Sequence, residues 1–374
     1  MLLTATALSA LLWLTVLVLP WRPWSTAERL RIPHDLGEID LGDVTVLIPA
    51  RDEASCIAAT LRALAAQGNI ARIVMVDDQS SDGTGAVARG VGLDNLVVLD
   101  GTPLPVGWSG KLWALEQASA RAETPYTLLL DADIELGPRV LAALKQHMQR
   151  HDLTLASVMA SLHMGNAFEK LLLPPFIYFF KLIYPFALSN RPRSPIAAAA
   201  GGCVLLRTES LRAIGGFASL REAIIDDCTL AQRIKRNGGR TWLGLSRDVR
   251  AIRPYETLAN IWNMVARTAF TQLRYSNVLL VICTLMLGLS FIAPLIGLVS
   301  GNAPATGAAL VALAAMSWSY RPTIKFYDLN PLWVATLSVA ACLFLAMTWT
   351  SAWRYWTGER SRWKSRSYDK IEGH

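Results

Sequence analysis

Three apolar stretches at the ends of the chain decide what it can fold into. Residues 2–19, 278–300 and 331–350 contain no Asp, Glu, Lys or Arg. Each approaches or exceeds the roughly 20 residues that cross a bilayer core. The charged residues lie mostly between them, so the pattern predicts a water-soluble domain held by membrane helices. A fourth stretch, residues 303–319, is alanine-rich and only weakly apolar. It reads equally as a span, a re-entrant hairpin or a loop. Residues 2–19 read as an anchor rather than a signal peptide, because no basic residue precedes them and they end in Pro20-Trp21-Arg22-Pro23-Trp24. Tryptophan and arginine mark a membrane interface.

Arg22, Arg29 and Arg31 follow that edge, and the positive-inside rule then puts the next domain in the cytoplasm. The basic tail, with Arg354, Arg360, Arg362, Lys364, Arg366 and Lys370, belongs on the same side. An even number of crossings must separate the two, which favours two C-terminal spans. The predicted plan is an anchor over 1–21, a cytoplasmic domain over 40–255, an interfacial linker over 256–277, a transmembrane region over 278–352 and a basic tail over 353–374. Within the domain, residues 168–188 are aromatic, interrupted by prolines and flanked by Lys170 and Lys181. They are expected to lie in the membrane interface, on the inner membrane of the cell.

The net charge of +7 suits anionic lipid and a polyanionic small molecule. Nucleic acid is not the expected partner, since no zinc finger, basic zipper or aromatic RNA-binding signature appears. The five cysteines form no Cys-x-x-Cys pair and read as small buried residues.

Between residues 43 and 253 short apolar runs alternate with amphipathic ones. Val44-Thr45-Val46-Leu47-Ile48, Ile73-Val74-Met75-Val76, Leu96-Val97-Val98-Leu99 and Leu128-Leu129-Leu130 read as buried strands. Helical patterns follow them. Such alternation predicts an α/β fold with a mainly parallel sheet flanked by helices. Ligands of such sheets bind beyond the carboxyl ends of the strands. Asp77 and Asp78 fall at one such end, and Asp131 and Asp133 at another. Hard carboxylate oxygens one residue apart suit Mg²⁺ or Mn²⁺, which would serve a diphosphate leaving group.

Four further groups carry chemistry. Pro49-Ala50-Arg51-Asp52-Glu53 forms a turn after the first strand that can receive a base, on which the Arg51 guanidinium can stack. In Asp77-Asp78-Gln79-Ser80-Ser81-Asp82-Gly83-Thr84, helix capping accounts for Asp82 but not for Asp77 or Asp78. Gly107-Trp108-Ser109-Gly110-Lys111 leads into a helix and can place Lys111 beside a phosphate. Asp226-Asp227 precedes an amphipathic helix; one acid caps it and the other is available as a general base. Gly201-Gly202 would let substrate approach the backbone.

In this order, Pro49-Ala50-Arg51-Asp52-Glu53, Val76-Asp77-Asp78, Gly110-Lys111, Asp131-Ala132-Asp133, Gly215-Gly216-Phe217 and Asp226-Asp227 resemble the family 2 glycosyltransferases. The stretch 107–114, the stretch 266–275 and Trp363-Lys364-Ser365-Arg366 look most like the hopene-associated membrane subgroup. The resemblance implies a type A nucleotide-sugar transferase fold and an inverting enzyme. It implies transfer from a UDP-sugar to a hydroxyl of a membrane lipid, with a hopanoid as the subgroup's acceptor. Pro49, Ala50, Arg51, Glu53, Asp77, Asp78, Lys111 and Asp131 would bind the nucleotide sugar. Asp131 and Asp133 would serve the metal, and Asp227 would be the base. Gly201, Gly202 and Asp226 would lie on the acceptor side; Asp226 replaces the glutamate usual at that place. The family's Gln-x-x-Arg-Trp motif is absent. Arg267 and the Gln272-Leu273-Arg274-Tyr275 stretch are its nearest counterparts, and Arg267 is assigned to the leaving diphosphate. Transfer to a polyprenyl phosphate, which needs no base, and a non-catalytic nucleotide-sugar-binding protein are the alternatives. The sequence does not indicate an oligomeric state.

Overall fold

A computed structural model describes residues 1–363 and 366–369, with side chains through Glu359. Lys364, Ser365 and residues 370–374 of the basic tail lie outside the described residues. The chain opens with helix α1 (Leu2–Val18). The domain then alternates β1 (Val44–Ala50), α2 (Ile57–Ala65), β2 (Arg72–Asp77), α3 (Thr84–Arg89), β3 (Leu96–Asp100), α4 (Gly110–Ser119) and β4 (Tyr126–Leu130). It continues through β5 (Ile134–Leu136), α5 (Val140–Arg150), β6 (Leu155–Ser161), α6 (Ala167–Ile183), α7 (Phe186–Ser189), β7 (Cys203–Arg207), α8 (Thr208–Ala213), α9 (Asp226–Arg236) and β8 (Thr241–Ala251). Helices α10 (Leu258–Ala266), α11 (Ala269–Gln272), α12 (Asn277–Leu287), α13 (Ala293–Leu298), α14 (Ala303–Phe326) and α15 (Leu337–Trp356) follow, and a β9 (Glu359–Trp363) and β10 (Arg366–Asp369) hairpin ends the described chain.

One sheet of eight strands, in the order β3-β2-β1-β4-β7-β6-β8-β5, forms the floor of the domain. Strands β1, β2, β3 and β4 are parallel, while β7 and β5 run against their neighbours. Every residue of β1 is buried, which is why its sequence is a continuous apolar run rather than an alternating one. Leu128 and Leu130 of β4 face one core with Val46 and Ile48, and Leu129 faces the other with Leu47. The pleat thus supplies both layers from a single strand. Because β1, β2, β4, β6 and β8 point the same way, their carboxyl ends share one edge. The backbone N–H of Ile252 donates to Asp133 O at 2.9 Å and joins the end of β8 to the turn after β4.

The apolar helices form a second body beside this edge. Asn277–Leu298 and Pro331–Trp356 are long and apolar enough to cross a membrane. Residues 303–319, open from sequence, belong to α14. At 24 residues and about 1.5 Å per residue it has spanning length. Its weak hydropathy has a packing reason. Ala305, Ala309, Ala312 and Ala315 are buried, and small residues let helices approach closely. At Gly297 a Cβ would come within 2.4 Å of Thr6 of α1.

Between α12 and α13 the helix widens into a π turn, Gly288–Ile292. Pro294 has no N–H to give the carbonyl one turn before it, that of Ser290. Helix α1 supplies the missing donors: Trp13 Nε1 lies 2.9 Å and Ser9 Oγ 3.2 Å from Ser290 O. Helix α14 returns to the domain, where Arg247 of β8 donates to Phe326 O at 2.7 Å. Helix α15 also ends at the domain side, with Ala352 packed on Phe270 and Leu280.

Helix α6, within the stretch 168–188, joins the two bodies. Leu172 and Leu173 pack with α10 and α15, Ile177 with Leu243 and Leu245 of β8, and Tyr178 on Tyr320 of α14. Only its ends, at Phe168 and Ile183, expose large apolar side chains.

Replacing both donors to Ser290 in a Ser9→Ala/Trp13→Phe variant leaves a buried carbonyl unsatisfied. The expected cost is about 1–3 kcal/mol, read as a lower melting temperature in detergent. An unchanged melting temperature would show that the π turn does not need α1.

Candidate active site

The site is built on turns that the strand ends make unavoidable. After β1, Asp52 takes a left-handed backbone conformation, and its carboxylate accepts from the Ser81 N–H at 2.9 Å. The N–H of Ala54 donates to Asp82 at 2.9 Å. The two loops are thereby clamped to each other. Arg51 lies across them, its Nη1 2.5 Å from Asp78 O and 3.8 Å from Asp78 Oδ2. Asp78 is fully buried, so that guanidinium compensates a carboxylate that water cannot reach.

Asp77 is placed differently. Its carboxylate accepts from the Ser80 N–H at 3.0 Å, and a Cβ at Gly85 would come within 2.5 Å of it. It shapes the β2–α3 turn. Pro49 and Ala50 form the buried end of β1.

Asp131 and Asp133 follow the tip of β4, and each meets a cation. Lys111 Nζ is 2.8 Å from Asp131 Oδ1 and 3.9 Å from Asp226 Oδ2. Ser109 caps α4, accepting from the Leu112 N–H, and so fixes the turn that carries Lys111. Burial alone would lower the Lys111 pKa, but Asp131 and Asp226 raise it, so the ammonium stays charged. Arg253 Nε is 3.4 Å from Asp133 Oδ2, and its Nη2 pairs with Glu53. Glu53 therefore faces Arg253.

Asp227 sits in the first turn of α9, which begins at Asp226, earlier than the apolar pattern marks. Acids are favoured at a helix N-terminus. Its oxygens accept from the Gly201 N–H at 2.8 Å and the Cys228 N–H at 2.7 Å. Burial and the neighbouring Asp226 push its pKa up, while Lys111 and those N–H groups pull it back; the balance is about 6. A Cβ at Gly201 would stand 3.2 Å from both Asp227 Oδ2 and Lys111 Nζ, so glycine keeps that space open. A Cβ at Gly202 would stand 3.2 Å from Ile134 and 3.9 Å from Asp131 Oδ2. A small, partly open cavity is lined by Lys111, Asp131, Gly201, Asp226 and Asp227 together with apolar side chains such as Leu112, Leu115 and Phe217.

Several residues of the site were not marked by the sequence pattern. Arg253 is one, and the strand-end argument applied to β8 would have found it. Tyr255 lies within electrostatic reach of Asp133 and Arg267. Its N–H donates at 2.7 Å to the buried carboxylate of Glu169, which also accepts from the Gly165 and Asn166 N–H groups. Tyr184 accepts from Gln272 Nε2 at 2.7 Å and lies within electrostatic reach of Asp227 and Arg274. Arg274 and Tyr275 both adopt left-handed backbone conformations, and two such non-glycine residues in succession store strain.

No group of three or more His, Cys, Asp or Glu side chains suited to a metal occurs among the described residues. Asp131 and Asp133 offer hard oxygen ligands from a strand tip. That donor set fits a divalent ion bound through one or two carboxylates and completed by substrate phosphates.

The sheet, its acidic edge and the flanking helices are those of a type A glycosyltransferase. The chain matches the model of the family described as Glycosyltransferase like family 2 over residues 42–271 and belongs to that family. The mannosyltransferase PcManGT from Pyrobaculum calidifontis, solved with GDP-Man and Mn²⁺, is similar in structure at 18% identity and a TM-score of 0.53, over 91% of this chain and 99% of that one. Glucosyl-3-phosphoglycerate synthase from Mycobacterium tuberculosis, solved with Mg²⁺ and UDP, is 16% identical over 66% of this chain and 86% of that one, at a TM-score of 0.45. No curated protein matches the chain.

Because Lys111 draws the Asp227 pKa down, a Lys111→Met variant should move the acid limb of the pH–rate profile upward from about 6. A profile that keeps its midpoint would remove Lys111 from the tuning of that carboxyl.

Proposed function

We propose that this glycosyltransferase moves a sugar from a nucleoside diphosphate, a UDP-sugar by family resemblance, to a hydroxyl of a membrane lipid with inversion. One observation carries the lipid reading. Asp227 lies within electrostatic reach of Tyr184, at the end of α6, and Tyr184 neighbours Arg274, three residues before the apolar helix α12. An acceptor reaching Asp227 from that side comes from the apolar helices. Helices α12–α13 would leave the domain side and α14 return to it, with α1 alongside. The basic tail stays with the catalytic domain in this arrangement, because α15 starts beside Ile324 of α14 and ends on Phe270 of α11. Helix α15 would thus lie along the domain side, so that α14 and not the stretch 331–350 would be the second crossing. The resemblance to the hopene-associated subgroup supports a polycyclic lipid alcohol as acceptor, and the inner membrane as its place.

The donor would lie along the strand ends, its base and ribose against Pro49, Ala50, Arg51 and Asp78. Asp131 and Asp133 would hold Mg²⁺ or Mn²⁺ on the diphosphate. When bound, that ion would neutralise charge on the leaving group. Lys111 sits between Asp131 and Asp226 and would keep the acids from repelling an anionic donor. Arg253 and Arg267 lie on the Asp133 side, where a departing diphosphate needs cations.

Asp227 would take the proton of the acceptor hydroxyl as the oxygen bonds to the anomeric carbon. The bond from that carbon to the diphosphate oxygen breaks on the opposite face. A base must be ionised to act, and its raised pKa of about 6 brings it near neutral working pH. Turnover should rise as pH passes through about 6 and level off above it. Tyr184 and Gln272 would orient the incoming hydroxyl, because their mutual hydrogen bond fixes the phenol beside the base.

Asp227→Asn should lower transfer by about 10²-fold or more while leaving UDP-sugar binding intact. Asp133→Ala should abolish the gain in donor binding that Mn²⁺ confers. Both are read by calorimetric titration and by mass analysis of products formed from labelled UDP-sugars and membrane lipid extract. Normal lipid glycosylation by Asp227→Asn would exclude this base. Transfer only to polyprenyl phosphate would replace the lipid alcohol with a phosphate acceptor. The membrane arrangement is tested separately: the full chain should stay in the membrane pellet after alkaline carbonate.

A further inference from the structure

A second polar site lies away from the catalytic edge, where the connection after α1 meets the end of α14. Residues 24–31 leave α1 and run beside β8. The Leu30 N–H donates to Leu245 O, and the Leu245 N–H donates to Glu28 O, both at 2.9 Å. The connection is therefore held as an edge strand. Six residues separate Leu245 from the end of β8, which is about 20 Å along the strand.

Between this connection and α14 opens a groove of about 500 Å³, lined by Trp24, Ser25, Thr26, Arg29, Arg31 and Pro322 among others. Arg29 is already oriented. Its Nε donates to Thr26 O at 2.5 Å and its Nη2 to Thr26 Oγ1 at 2.9 Å. Its guanidinium lies 4.8 Å from the centre of the Phe326 ring, and Arg247 lies 5.4 Å from the same ring. Two cations on one ring repel each other. Arg247 is compensated, bonding Asp328 at 2.8 Å and the Phe326 carbonyl. Arg29 and Arg31 have no acid partner among the ion pairs of the described residues. The other nearby acid, Glu28, lies within electrostatic reach of Lys181, which is buried and donates to Trp24 O at 3.2 Å.

The groove sits at a definite height. One turn back along α14, Trp318 is exposed and the Arg321 guanidinium lies 5.8 Å from its ring. On the other wall, Trp24 Nε1 bonds Leu17 O at the last turn of α1. Tryptophan and arginine at the ends of two apolar helices mark the headgroup layer. A groove at that height with pre-oriented, unbalanced guanidinium groups suits a phosphate diester carried by a lipid.

We propose that this groove binds the headgroup phosphate of an anionic phospholipid, held by Arg29 and Arg31 with the Ser25 hydroxyl as a further donor. The proposal rests on the membrane placement of α1 and α14 given above. Bound lipid would tie the connection to α14 and set the height of the catalytic domain on the bilayer.

The test uses the full chain in dodecyl maltoside and native mass spectrometry with equimolar phosphatidylglycerol and phosphatidylcholine. Phosphatidylglycerol should be retained about tenfold or more over phosphatidylcholine. An Arg29→Gln/Arg31→Gln variant should lose that preference. Arg29→Lys/Arg31→Lys should keep part of it, and the exposed control Arg62→Gln should keep all of it. Circular dichroism verifies that each variant is folded. Equal retention of the two lipids by the unaltered chain, or an unchanged preference in the double glutamine variant, overturns the proposal. Displacement of phosphatidylglycerol by an equal concentration of inorganic phosphate would overturn the lipid assignment. Release of the chain by alkaline carbonate defeats the membrane placement; retention there without lipid preference defeats the groove alone.

Discussion

Everything at the catalytic edge depends on bringing acids together without leaving their charge uncompensated. Strand ends, two turns and the start of α9 gather Glu53, Asp78, Asp131, Asp133, Asp226 and Asp227 in one region. Arg51, Lys111 and Arg253 are threaded among them. A buried carboxylate without a cation or several N–H donors would protonate or disrupt the fold. Asp78 has Arg51, while Glu53 and Asp133 share Arg253. Asp227 has two backbone donors and Lys111 to offset its burial and the neighbouring Asp226, and the balance leaves its pKa raised to about 6.

The same cations suggest how the site changes when a donor arrives. Lys111 and Arg253 each rest on one of the two carboxylates at the tip of β4. A divalent ion on those oxygens would leave both cations free to turn toward phosphate. The electrostatic balance would then be kept through binding, with cations changing partners. A site of this kind needs no dedicated metal cage, consistent with the two-carboxylate donor set.

The body of apolar helices and the domain are joined by elements that use both. Helix α6 gives one face to β8 and another to α14 and α15, and its Glu169 holds the backbone of Tyr255 beside Asp133. Arg247 reaches from β8 to the end of α14. Movement of the apolar helices would therefore be felt at the turn carrying Arg253. Within that body, Ser290 shows how a proline in a helix is accommodated: the orphan carbonyl finds its donors on α1, so α1 is a structural part of the bundle.

Much of this was legible in the linear chain, because the signals were local. A continuous apolar run such as Leu128-Leu129-Leu130 is a strand buried on both faces, and the charge that follows it must lie at an edge. Asp131, Asp133, Asp226 and Asp227 could be singled out on those grounds. The uncharged runs 278–300 and 331–350 likewise largely coincide with helices of membrane length, Asn277–Leu298 and Pro331–Trp356. Tertiary packing decided the rest. Asp77 and Asp78 are neighbours in sequence, yet the pleat turns one toward a helix and buries the other beside Arg51. Arg253 and Tyr184 acquire meaning only when β8 and α6 bring them to acids more than 40 residues away. The stretch 303–319, left open between span, hairpin and loop, belongs to the 24-residue α14, whose alanines face other helices and so need not be strongly apolar. Composition and periodicity report what each segment buries, but partners distant in sequence and the compensation of buried charge are settled only when the chain closes on itself.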